Sequence, residues 1–163
     1  MKTKILRIAL WIAVVLWMAV IFAFSAESGK ASTETSDGVV DQVMEEMFGT
    51  SDKGIIPDSV RTKITFFVRK TAHFTAFMLL GILTVSALRV DVKRFLPCGI
   101  VSFGICVLYA VSDEVHQLFV PGREGRLLDV GIDTAGSLCG ILLFCAVFSA
   151  VKRARGRRKE NCR

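Results

Sequence analysis

"IALWIAVVLWMAVIFAF" runs from Ile8 to Phe24 without a single charged side chain. A helix needs roughly 20 predominantly apolar residues to cross a hydrocarbon core about 30 Å thick, and this block approaches that length. Lys2, Lys4 and Arg7 precede it and Ala23-Phe24-Ser25 follows, which is also the outline of a cleaved signal peptide. The apolar run exceeds the roughly 7–15 residue core of such peptides, so a retained helix is the favoured reading.

Three further apolar blocks follow, at Phe74 to Leu88, Phe95 to Ser112 and about Ile132 to Val151. In a chain of 163 residues that is 52% hydrophobic, apolar residues gathered in blocks rather than periodic stripes mark a membrane protein. The predicted fold is all-α: a bundle of four transmembrane helices with a short helical external segment between the first two. A single domain is expected over residues 1–151, with the external segment at about 25–69 and a basic cytoplasmic tail at 152–163.

Lys2, Lys4 and Arg7, then Arg89, Lys93 and Arg94, then the tail "KRARGRRKENCR" fall on one side of a four-span bundle. The positive-inside rule makes that side cytoplasmic, with both termini inside. Much of the net charge of +6 is therefore a topology signal and an attraction to anionic lipid, not a nucleic-acid footprint. Cys98, Cys106, Cys139 and Cys145 lie within or beside the spans and Cys162 lies in the tail, so no disulfide framework is expected. They read as small buried hydrophobes.

Within the external segment, "SAESGKASTETSDG" is too polar to bury a core and is rich in capping and turn residues. Val40, Val43, Met44 and Met47 then recur at helical spacing, with Asp41, Glu45 and Glu46 on the other side, predicting a short amphipathic helix. Pro57-Asp58-Ser59 predicts a second helix start, leading through Val60, Ile64, Phe67 and Val68 into the second span.

The ionisable residues between these blocks carry the functional reading. With the termini inside, Ser25, the turn carrying Arg69, Lys70 and His73, the Asp113–Gln117 turn, and the Asp129–Asp133 turn all reach the outer face at one depth. Arg69 and His73 share a helix face, as do Asp113 and Gln117, and Asp129 and Asp133, with Glu114 three residues before Gln117. Gly136 and Gly140 continue the face of Asp133 and permit close helix approach. Interhelical salt bridges that fix register would account for any one of these groups. A cluster drawn from three spans reads by default as a functional site. Pro121-Gly122 predicts a tight turn that holds Arg123 near the helix ends, where it would balance the carboxylates, whereas Arg126 lies nearer the water.

Two segments resemble a known family. "RKTAHFTAFMLLGIL" followed by "DEVHQLFVPGREGRLLDVGIDTAGSLCG" is similar to the VanZ-like family of small bacterial membrane proteins, and "FAFSAESGKAS" resembles the Ser-rich segment after that family's first helix. Lys70, His73, Asp113, Glu114, Gln117, Arg123, Asp129 and Asp133 fit the family pattern; Asp133 stands where many members have Asn. The resemblance implies a multi-pass protein of the bacterial cytoplasmic membrane, connected to resistance against lipoglycopeptides such as teicoplanin.

Three readings remain open on sequence alone. The first is recognition of an envelope lipid, such as a polyprenyl-linked cell-wall precursor, with Arg69, Lys70, Gln117, Arg123 and Asp133 binding its head group. The second is an enzyme acting on a phospho- or glycolipid, with His73, Asp113, Glu114 and Asp129 as acid, base or metal-assisted groups. The third is a structural or assembly role. The chain has no P-loop, Rossmann glycine pattern, CxxC pair or HExxH motif, so no cofactor is specified and no metal ligand is assigned by spacing. The expected partners are membrane lipids, with no nucleic acid and no oligomeric state prescribed.

Overall fold

Each apolar block folds as a helix, because a segment surrounded by hydrocarbon must satisfy its backbone hydrogen bonds internally. The computed structural model of the chain describes residues 2–27, 29–48, 58–123 and 125–160. Five helices follow in order: α1 Lys2–Ser25, α2 Gly29–Phe48, α3 Asp58–Arg89, α4 Phe95–Gln117 and α5 Leu127–Glu160. All but α2 are long and apolar enough to cross a membrane, and no strand occurs among the described residues.

Small and polar side chains are buried between the helices alongside a few large apolar ones such as Phe77 and Leu80, and the outer surface is large and apolar. Thr84, Ala87, Ser102, Cys106, Ala110 and Ser137 are buried between helices. Ile8, Ile12, Leu16, Leu108 and Leu142 are exposed on the outer surface. Small interior residues let helix backbones approach where no hydrophobic effect drives helices together in lipid. The most extensive contact is between α3 and α5. It depends on absent side chains: a Cβ on Gly136 would run into the carbonyl of Phe74, and one on Gly140 into that of Met78. The glycine face read from the sequence is therefore the α3–α5 seam. Cys98 and Cys106 are buried as expected, but Cys139 faces outward and is exposed; on a surface suited to lipid it needs no burial. Cys162 lies outside the described residues.

Two ties fix α1. The Trp17 indole N–H donates to the Ala76 carbonyl at 2.9 Å, and the Tyr109 hydroxyl to the Met18 carbonyl at 2.5 Å. At one end of the bundle Arg7 meets Asp91 in the α3–α4 connection at 3.3 Å. Arg89 lies over the rings of Phe95 and Phe148, bringing the basic stretch of α5 to that same end.

The region between α1 and α3 departs from its sequence pattern. The helix begins at Gly29 and takes in the polar stretch expected to turn or cap, because Asp37 accepts from Thr65 at 2.5 Å and Asp41 from Arg61 at 2.5 Å. Docking on α3 overrides the weak local propensity. The side chains of Val43, Met44 and Met47 lie outside the described residues, as does Pro57. The third helix is continuous, so the expected helix start at Asp58 and the second span are one rod; Asp58 to Val68 extends it about 16 Å beyond the level of Arg69. Likewise α5 carries the basic stretch to Glu160 as helix.

A candidate anion-binding cavity at one end of the bundle

The turn after α4 sets the site. Leu118, Phe119 and Val120 donate their backbone N–H groups to Val115, His116 and Gln117, closing α4 with tightened turns. Arg123 N–H then donates to the Val120 carbonyl at 3.1 Å across Pro121-Gly122. Gly122 has φ 75°, which fits a type II turn with proline second and glycine third. This turn aims Arg123 back at the bundle.

Arg123 does not salt-bridge the carboxylates, as its position suggested in the sequence. Its guanidinium donates to the carbonyls of Glu27 at 3.0 Å and Phe24 at 3.2 Å and to Gln117 Oε1 at 3.3 Å. The last carbonyls of a helix have no intrahelical donor, so Arg123 caps α1 from the α4–α5 loop. Its partners are neutral. Burial, and next the neighbouring Arg69 guanidinium, lower the Arg123 pKa from its ordinary value.

Around it opens a cavity of about 540 Å³ lined by Arg69, Lys70, His73, Gln117, Gly122, Arg123, Arg126 and Asp129. Lys70 pairs with Asp129, joining α3 to α5. Arg69 forms no hydrogen bond or salt bridge among the described residues. The lining thus holds four cations and one carboxylate, and that carboxylate is engaged by Lys70.

Behind the lining sits a second group. Asp113 Oδ2 accepts from Ser25 at 2.7 Å and from Gln117 at 3.2 Å, and its Oδ1 has no partner. Asp133 has neither oxygen hydrogen-bonded, and its Oδ1 lies 3.7 Å from His73 Nδ1. Asp113 and Asp133 are only 2% and 1% exposed. His73, Asp113 and Asp133 bring one ligand atom each within 4.8 Å of one another. Glu114 does something else: its Oε1 accepts from the Arg126 backbone N–H just before α5, while Arg126, expected nearer the water, also lines the cavity.

Eight of the nine candidate residues therefore belong to two adjoining groups, and Glu114 stands beside them. Arg69, Lys70, His73, Gln117, Arg123 and Asp129 line the cavity; Asp113 and Asp133 lie behind it, and Glu114 holds the start of α5. Ser25 was missed. A serine at a helix end in a Ser-rich stretch reads as a cap, and its hydrogen bond spans 88 positions to Asp113. The carbonyls of Phe24 and Glu27 leave no side-chain signal at all.

A profile of the VanZ/LLP1 family matches residues 10–149, which include every residue of the cavity and of the buried group. The chain belongs to the VanZ/LLP1 family. The match extends over the apolar cores of all four long helices and through α2, so the membrane bundle and its polar end both fall within the family's shared region. Neither the curated proteins nor the solved structures contain a significant match to the chain.

Proposed function

We propose that the cavity recognises the phosphate-bearing head group of an envelope lipid, with a polyprenyl-linked cell-wall precursor as its ligand. The observation that carries this reading is a pair of arginines, Arg69 and Arg123, in one cavity with no carboxylate bonded to either. Adjacent guanidinium groups repel one another and are stabilised by an anion between them. Planar forks of this kind match phosphate oxygens bidentately. Gln117 supplies an amide beside them, and the Lys70–Asp129 pair borders the cavity.

The Arg7–Asp91 contact and the Arg89 stacking gather Lys and Arg at the opposite end, which supports cytoplasmic termini and an outward-facing cavity under the positive-inside rule. A chain that holds the precursor there alters how a lipoglycopeptide reaches it. The teicoplanin link of the VanZ name enters on that basis.

Reconstitution in nanodiscs, with a fluorescent polyprenyl-diphosphate precursor titrated in, tests the reading. Arg69→Ala and Arg123→Lys should each weaken binding about tenfold or more, since a lost charge-assisted hydrogen bond is worth roughly 1.5–3 kcal/mol. Anionic lipid of equal charge should compete poorly. Equal binding of wild type and Arg69→Ala, or full competition by plain anionic lipid, would rule out specific recognition.

A further inference from the structure

We infer that His73, Asp113 and Asp133 form a binding site for a divalent first-row transition metal ion, drawn from α3, α4 and α5. Burying one unpaired carboxylate is costly; burying two side by side costs more, and buried charges are normally paired or bound to metal. Here the usual counter-charges are committed elsewhere: Lys70 holds Asp129, and Arg123 holds backbone carbonyls and Gln117. Among the described residues no Lys or Arg reaches Asp113 or Asp133. Asp133 Oδ1, Asp133 Oδ2 and Asp113 Oδ1 are all buried without a hydrogen-bond donor.

The spacing fits an ion better than it fits a hydrogen bond. His73 Nδ1 and Asp133 Oδ1 are 3.7 Å apart, too far for donation. Two ligands bound at about 2.1 Å with a tetrahedral angle lie about 3.4 Å apart. The three ligand atoms within 4.8 Å need close only slightly to share a metal. Asp113 is set up as a ligand, because Ser25 and Gln117 both donate to Oδ2 and leave Oδ1 turned free. Outer partners of that kind fix a ligand's orientation. One imidazole and two carboxylates give a mixed nitrogen and oxygen set, suited to Zn²⁺ or Mn²⁺ rather than to Ca²⁺, which takes six to eight oxygens. Three protein ligands leave coordination positions open, and His73 also lines the cavity, so the ion stands at the back of the anion site.

The inference does not depend on lipid recognition, since the ion is counted with no polyprenyl lipid present. Full-length protein in nanodiscs, stripped with EDTA, exposed to Zn²⁺ or Mn²⁺ and desalted, should retain about one ion per chain by plasma mass spectrometry. His73→Ala and Asp133→Asn should abolish retention, and Ser25→Ala should weaken it about tenfold through Asp113. Glu114→Gln, which removes a nearby carboxylate outside the group, should leave it intact. Should a variant fold poorly, the wild type alone gives a second readout: its thermal midpoint should rise with the metal and fall back with EDTA. Its Co²⁺ form should show visible ligand-field bands. No retained ion and no midpoint shift in the wild type, or equal retention in His73→Ala and Asp133→Asn, would overturn the assignment; the first result would mean that a proton neutralises the carboxylate pair.

Discussion

Arg7 and Asp91 meet at one end of the bundle with both side chains about half exposed; at the other end, Asp113 and Asp133 sit sealed beneath a cavity edged by arginines. Both ends are rich in ionisable groups, so their number does not mark a site. What separates them is desolvation. Exposed pairs gain little because water already stabilises each charge, whereas buried groups must be satisfied by a specific partner. Charge at the basic end is shared with water, whereas the carboxylates at the buried end depend on their immediate neighbours.

Glycines break this comparison most sharply. Gly136→Ala, at the buried end, pushes a methyl into the Phe74 carbonyl, and should lower unfolding free energy in detergent by about 2–4 kcal/mol. Gly156→Ala, where an added Cβ meets nothing, should be neutral or stabilise by up to about 1 kcal/mol through helix propensity. Similar effects at both positions would mean that α3 and α5 do not pack closely.

Arginines come next. Arg123→Ala removes the guanidinium that caps α1 and should cost about 2–3 kcal/mol, with Arg123→Lys retaining part of this, because a single ammonium cannot reach Phe24, Glu27 and Gln117 together. Thermal melts should separate the two variants from Arg94→Ala, an exposed change expected to fall within about 0.5 kcal/mol of wild type. The Arg7–Asp91 pair is smallest: a double-mutant cycle should return about 0–1 kcal/mol, shrinking as salt is added.

Orientation sharpens the comparison differently. In a background lacking native cysteines, single cysteines at Ser36 and Gly125 should react with an impermeant thiol reagent on intact cells, and one at Asp91 should not. Labelling at Asp91 instead would put the basic end outside.

Much of this was legible in the sequence. Uninterrupted apolar blocks gave the helices, i, i+4 spacing gave the shared faces of Arg69 with His73 and Asp129 with Asp133, and Gly136 with Gly140 gave the tight seam. Pro121-Gly122 gave the turn. The start of α2 at Gly29 was hidden because Asp37 and Asp41 find their partners on another helix, which no local propensity records. Arg123 was correctly aimed inward but assigned to carboxylates, since backbone carbonyls at the end of α1 carry no sequence signature. Ser25 illustrates the same blindness, as its meaning depends on a residue three helices away.

Native mass spectrometry of the chain released from nanodiscs containing the polyprenyl-diphosphate precursor tests the central claim most directly. Two variants each remove one positive charge, from opposite ends: Arg69→Ala with Arg123→Lys at the cavity, and Lys93→Ala at the basic end. The wild type and the basic-end variant should both carry the precursor as a bound adduct, and the cavity variant should lose it. Equal loss in the two variants, or an adduct that survives the cavity substitutions, would contradict recognition of a phosphate head group between Arg69 and Arg123.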